Sequence, residues 1–225
     1  MTRRLADLAW PDVAEVASRS LLAIPLGSTE QHGPHLPCTT DTDLAVALTD
    51  ALAARRDDVV VAPPLAYGSA GEHAAFPGTL SIGGPAFEQV VVELGRSADA
   101  FAGVVFVSAH GGNADALARA VAVLRGEGRR AMVWSPVVAG GDAHAGRTET
   151  SMLLALRPEA VDLERATPGD TRPIRDLLPL LRAGGVAAIA PNGVLGDPLA
   201  ATAESGSVLV RSLADDLVAA VEAFA

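Results

Sequence analysis

Two of the five histidines in this chain, His32 and His35, fall inside one short stretch, "GSTEQHGPHLPCTTDTD" (27–43), beside Glu30, Asp41 and Asp43. Imidazole nitrogens with carboxylate oxygens form a donor set suited to zinc, manganese or iron(II). Glu30 and His32 are two apart, so an extended chain sends both side chains to the same side. Pro34 and Pro37 stiffen the turn that follows, and Asp41 opens the next helical stretch, where its carboxylate returns toward the same edge. A second stretch, "SAHGGN" (108–113), places His110 after an apolar run, with Gly111 and Gly112 for a tight turn and Asn113 as a helix cap. Taken alone, the His32–His35 pair also fits turn-stabilising hydrogen bonds, and "HGGN" fits an ordinary strand-to-helix turn. Glu30, His32, Asp41 and His110 converging from two strand ends favour a divalent-metal site.

The elements that must bring them together are legible as alternating periods. "SLLAIPLGS" (20–28), "DVVVAPPLAYG" (58–68), "GVVFVSAHGG" (103–112) and "RRAMVWSPVV" (129–138) read as strands buried on both faces. Between them, 41–56 starts on a cap-like Asp41, 85–101 opens with Pro85, and 113–128 runs from Asn113 to Gly128, all with helical period. Strand alternating with helix predicts an α/β fold with a mostly parallel sheet covered on both sides. In such a sheet, ligands bind outside the carboxyl ends of the strands, where both histidine stretches fall. The last third is less regular. "HAGRTETSMLLAL" and "RPIRDLLPLLRAGG" suggest short helices, and "SGSVLVRSLADDLVAAVEAFA" a closing one.

With 225 residues and 49% hydrophobic content, the chain suffices for one well-buried domain spanning 1–225. The net charge of −10 argues against nucleic acid or an anionic membrane as partner, since phosphate attraction becomes repulsion. A lone cysteine, Cys38, makes no intrachain disulfide and reads as a small buried hydrophobe in a reducing compartment. Asp7, Asp12 and Glu15 interrupt what a signal peptide would keep apolar, and no apolar run reaches the roughly 18 residues that span a bilayer. The expected location is the cytoplasm.

"PLGSTEQHGPHLPCTTDTD", "GEHAAFPGTLSIG", "SAHGGN" and "GGDAHAGRTETSM" resemble, in order and over nearly the whole chain, the motifs of the creatininase family of metal-dependent amide hydrolases. "AYGSAGEHAAFPGTLSIG" and "GGVAAIAPNGVLGDPLAATAESG" are similar to the branch of that family that serves mycofactocin biosynthesis. The resemblance implies a three-layer α/β/α fold and a small ribosomal precursor peptide as substrate, its C-terminal Val-Tyr pair oxidatively modified and then released as a dipeptide. It also implies a homo-oligomer, with a hexamer as one form. The alternative within the family is a cyclic-amide or formamide hydrolase acting on creatinine or a formylated pyrimidine. A scaffold that lost the chemistry is a third reading, disfavoured because packing does not demand so many polar groups together.

Residue by residue, the resemblance implies two divalent ions, zinc, iron(II) or manganese, bridged by Asp41. Glu30 and His110 would hold one ion and His32 the other. Creatininase proper has a metal-binding glutamate two residues after the equivalent of His110, where this chain has Gly112. Glu149 in "HAGRTETS" matches a functional glutamate of the family and is expected to replace it, acting in catalysis as well. His144 matches the family's proton-transfer histidine. Ser108 and Ala109 stand where relatives often show Asn and Gly, which alters the pocket wall but no ligand. Of the remaining residues, His35 is expected to orient a ligand through a hydrogen bond. His73, beside Glu72, is divided between pocket lining and loop structure, and Trp134 between a wall for the substrate's tyrosine ring and plain core. "GVLGDP" (193–198) reads as turn chemistry.

These residue types suit hydrolysis of an amide. A divalent ion lowers the pKa of a bound water from about 15.7 to about 7, and a second polarises the carbonyl. His144, with an ordinary pKa of about 6.5, can carry the water's proton to the departing nitrogen.

Overall fold

The computed structural model describes residues 2–224. Five strands, β1 (Arg3–Arg4), β2 (Leu21–Leu26), β3 (Val59–Val61), β4 (Gly103–Ser108) and β5 (Ala131–Trp134), form one sheet in the order β1-β3-β2-β4-β5. All its pairs are parallel. The helices are α1 (Trp10–Val16), α2 (Thr40–Arg55), α3 (Gly84–Ser97), α4 (Ala114–Gly126), α5 (Arg147–Leu156), α6 (Ile174–Gly184) and α7 (Ala203–Phe224). None is long and apolar enough to cross a membrane.

Strand side chains alternate between two cores, as the pleat requires. Leu21, Ala23, Val59, Val61, Val105, Val107 and Met132 pack with Leu44, Leu48 and Leu52 of α2, Met152 of α5, and Leu213, Leu217 and Val221 of α7. Leu22, Ile24, Val60, Val104 and Phe106 pack on the other face, against Phe87 and Val91 of α3 and Leu117, Val121 and Leu124 of α4. The near-fourfold spacing of the helical residues gives each helix one apolar stripe, and the result is the expected three layers with a parallel sheet between them.

The second predicted strand is shorter than 58–68, because Pro63 and Pro64 cannot extend a ladder beyond Val61. Pro25, inside the central strand β2, is tolerated for a specific reason. The Ala23 and Pro25 carbonyls both point to the β3 side, where they accept from the amides of Ala62 and Leu65. The missing Pro25 N–H therefore falls beyond the end of β3 and takes nothing from the β2–β4 pairing. The two-residue strand β1 and the short helix α1 are additions to the sequence reading, since neither is long enough to show a period. Cys38 is half-buried, less enclosed than expected.

Because chain order reverses about β2, with β3 on one side and β4 on the other, a crevice opens at the carboxyl ends of β2 and β4. Leu26 is in register with Ser108, so the segments bearing Glu30 and His110 leave the sheet side by side.

Candidate metal centre

Glu30, His32, Asp41, His73, His110 and His144 are all buried around this crevice, and Glu149 joins them from the first turn of α5. Asp41 lies at their centre. Its Oδ1 is 3.1 Å from His32 Nε2 and its Oδ2 is 3.2 Å from His110 Nδ1. Glu30 Oε2 is 3.2 Å from His110 Nδ1, and Glu149 Oε2 is 3.9 Å from His32 Nε2. Among the described residues, three groups have donor atoms close enough together to hold an ion: Glu30, Asp41 and His110; His32, His144 and Glu149; and Glu30, His73 and His144.

Three imidazoles are oriented by the main chain. His32 Nδ1 contacts the Glu30 carbonyl at 3.2 Å, His110 Nε2 the Ser69 carbonyl at 3.0 Å, and His144 Nε2 the Gln31 carbonyl at 2.9 Å. A carbonyl only accepts, so each of these nitrogens carries a proton and the other ring nitrogen faces the carboxylates. That is how ligating histidines are usually held. Both carboxylate oxygens of Glu30, and Oδ2 of Asp41, are buried without a hydrogen bond of their own. Such oxygens are costly unless a cation meets them, so the donor set fits divalent ions.

The electrostatics agree. Burial opposes protonation of His32, but Asp41, Glu149 and Glu30 outweigh it and push the pKa up to about 10. His110 is raised well above its ordinary value against the same burial, by Glu30 and Asp41. Asp41 is held far below the usual carboxylate range by His32 and His110, despite its burial. Glu149 is pushed up to about 7, mainly by burial and next by Asp41, with His32 opposing. Burial, then the charge on His32, keeps His144 well below its ordinary value and therefore neutral. A divalent ion must compete with protons for His32 and His110.

Two loops fix the far side. His144 and Leu195 exchange backbone hydrogen bonds, His144 N–H to the Leu195 carbonyl at 3.1 Å and the reverse at 2.9 Å. "GVLGDP" is therefore more than a turn: it is the strand-like partner that holds His144. Asp142 anchors both loops, accepting from the amides of Arg147 (3.0 Å), Thr148 (3.1 Å) and Asp197 (3.1 Å) and from the Thr148 hydroxyl (2.8 Å). Gly146 and Gly196 allow this, because a Cβ at either would collide with the Asp142 carboxylate. Ala145, next to His144, has φ of 51° and donates its amide to Glu149 Oε2 at 2.6 Å.

Other expectations are corrected. Trp134 does not line the site: it is buried in the sheet's α7-side core, and its indole donates to Asp216 at 2.8 Å. His35 is buried and pairs with the Thr150 hydroxyl at 2.9 Å, one residue from Glu149, so it supports α5 without touching a ligand side chain. Asn113 does not cap α4. Its side chain accepts from the Ser69 amide at 2.9 Å and donates to the Gly27 carbonyl at 3.1 Å, tying the β2, β3 and β4 exits together. His73 belongs to the centre, with Nε2 3.2 Å from Glu30 Oε1. Gly112 is needed for space, since a side chain there would strike Glu72, His110 and the Ser69 carbonyl. Gln31 escaped the sequence reading altogether, because its contacts to His73, His144 and Gly193 lie more than forty residues away.

The centre floors a cavity of about 850 Å³. Ile174, Leu178, Leu181 and Arg182 of α6 also line it, so the cavity combines the acidic centre with a largely apolar α6 wall.

The comparisons with known proteins point the same way. The family model described as creatinine amidohydrolase matches residues 6–221. A protein of Mycobacterium ulcerans (strain Agy99) named "Mycofactocin precursor peptide peptidase" is 51% identical over 94% of this chain and 85% of its own. One of the same name from Mycolicibacterium smegmatis is 52% identical over 83% of this chain and 78% of its own. The creatinine amidohydrolase of Pseudomonas putida is 28% identical over 92% of this chain and 91% of its own. Among solved structures, one described as "Creatininase Mn" superposes with a TM-score of 0.82 at 25% identity, covering 100% and 99% of the two chains. A mutant creatininase of "Zn-Zn type" gives a TM-score of 0.81 at 25% identity, covering 98% of each. By motif, fold and relatives alike, this chain belongs to the creatininase family.

Proposed function

We propose that the chain acts as one domain and is a dinuclear-metal-dependent peptidase that releases the modified C-terminal Val-Tyr dipeptide from the mycofactocin precursor peptide. The observation that carries this reading is the division of donors about Asp41, whose two oxygens face two different histidines. Glu30 and His110 would hold one ion and His32 and Glu149 the other, with Asp41 offering one oxygen to each side. The two relatives above 50% identity support the peptide substrate.

Bound zinc, iron(II) or manganese would supply an activated water and a polarised scissile carbonyl. The chain's own residues do the rest. His144 is anchored through Nε2–H to the Gln31 carbonyl, which leaves the Nδ1 lone pair 3.8 Å from Glu30 Oε1, on the cavity side. Nδ1 takes the proton from the attacking water and returns it to the nitrogen of the broken amide, so that a carboxylate and an amine leave. The α6 wall receives the apolar parts of the peptide, and this remote contact holds the scissile bond in place. The lone cysteine and the charge of −10 support a cytoplasmic protein without nucleic-acid or membrane partners. Exposed Trp10, Val137 and Leu199 support a homo-oligomer, a hexamer being the form expected for the family.

The test is incubation of the metal-loaded protein with the modified precursor peptide, followed by mass spectrometry. Release of the dipeptide supports the reading. Turnover of creatinine without cleavage of the peptide would overturn it.

A further inference from the structure

Of the three groups able to hold an ion among the described residues, the dinuclear reading draws on two, leaving His144 free as the proton carrier, and the third, Glu30 with His73 and His144, is gathered within the same 4.8 Å. One side chain decides its fate. Gln31 is buried, and its amide has an orientation that its neighbours settle. The Gly33 amide, which can only donate, gives its hydrogen to Oε1 at 2.7 Å, and the Gly193 carbonyl, which can only accept, receives one from Nε2 at 3.0 Å. Nε2 is therefore the nitrogen, and it lies 2.9 Å from His73 Nδ1. Its other near neighbour, His144 Nε2 at 3.1 Å, already donates to the Gln31 carbonyl and has no lone pair to offer. The second amide hydrogen thus goes to His73 Nδ1. A ring that accepts at Nδ1 holds no proton there, so its single proton sits on Nε2. That nitrogen faces Glu30.

We infer that Gln31 selects the metal count of the site: by donating to His73 Nδ1 it keeps a proton on His73 Nε2 and closes the Glu30–His73–His144 group to metal. The inference rests on the dinuclear reading of the other two groups. Gly193 serves the same end, because a side chain there would collide with the Gln31 amide, at a residue whose φ of 77° also favours glycine. His73 then contributes a positive N–H edge to Glu30 and no coordination.

The test uses the zinc-loaded protein with 15N-labelled histidine, in which only five imidazoles need assignment. His73 is expected as the Nε2–H tautomer in the wild type. In Gln31→Glu, which keeps an acceptor for Gly33 but replaces the donor with an oxygen, His73 is expected to become Nδ1–H. Zinc content should then rise from two to three ions per chain. A wild-type His73 protonated on Nδ1 overturns the inference whether or not the variant folds. So does a variant that retains Nε2–H, or one that changes tautomer and still binds two ions. A wild type that binds less than one zinc would instead defeat the dinuclear reading, and it leaves the tautomer result standing on its own.

Discussion

Replacing Asp142 by Ala should cost both stability and turnover, although the residue touches neither metal donors nor cavity floor. Its carboxylate accepts four hydrogen bonds, from residues 147, 148 and 197. Bonds to a charged acceptor are worth about 1.5–3 kcal/mol each, but these share one half-buried group, and the freed amides recover water. A total near 3 kcal/mol is therefore expected, and for a chain of this length about 2–4 °C is lost per kcal/mol, so Tm should fall by about 6–12 °C. Asp142→Asn keeps the oxygen that serves Thr148 and turns an amine toward the Arg147 and Asp197 amides, so about half the loss should remain. The pKa of Asp142 is lowered by Thr148 and by the Asp197, Arg147 and Thr148 amides, against its burial. A depressed carboxyl stabilises fully above its unfolded value of 3.8 and loses that contribution as pH falls through the folded value. The difference in Tm between wild type and Asp142→Ala should thus be constant near neutrality and shrink below pH 4. Turnover of the modified peptide should drop at least tenfold at temperatures where the variant is folded, because His144 and Glu149 lose their shared anchor. Scanning calorimetry with a mass-spectrometric rate assay decides it. A Tm within about 2 °C of wild type, with unchanged turnover, would refute the reasoning.

Further outcomes follow from the same geometry. Chelation should abolish activity and lower Tm, since an ion at one hundred times its Kd stabilises by about 2.7 kcal/mol, and elemental analysis should find close to two ions per chain after reloading. Asp41→Asn should lose more metal than His35→Asn, because only Asp41 faces both histidines. His144→Asn should retain metal and lose about 10²- to 10⁴-fold in kcat, whereas Glu149→Gln should lose metal and recover in part when zinc or iron(II) is added. Metal loss in the first, or full occupancy in the second, would show these roles are misassigned. Leu217→Ala, in the α7 core, should cost about 2–5 kcal/mol in denaturant unfolding with the ion count unchanged.

The strands at β2, β4 and β5 and the helices α2, α3 and α4 were readable because each buries a continuous run or a single stripe, which leaves a period in the sequence. Glu30, His32, Asp41 and His110 were readable for a related reason: local spacing and strand ends place them. Gln31, Asp142 and Asn113 left no such trace. Each acts largely through hydrogen bonds to main-chain groups, some of them far along the chain, and a carbonyl or an amide has no sequence signature. Trp134 stayed open between two readings for the opposite reason. A strand-end aromatic near the site can face either way, and Asp216, eighty-two residues on, supplied the partner that turned it into the core.

The order of the chain gives the site a history. Its first donors are in place by Asp41, but His144 depends on Leu195, and α5, which carries Glu149, packs against α7, the last helix. At about 5–20 residues per second, some ten to forty seconds of synthesis separate His32 from the arrival of α7. During that interval Glu30 and Asp41 gain His110, while His32 still lacks His144 and Glu149. The two halves of the centre are thus made in sequence, the Glu30–Asp41–His110 group first and the His32–His144–Glu149 group second.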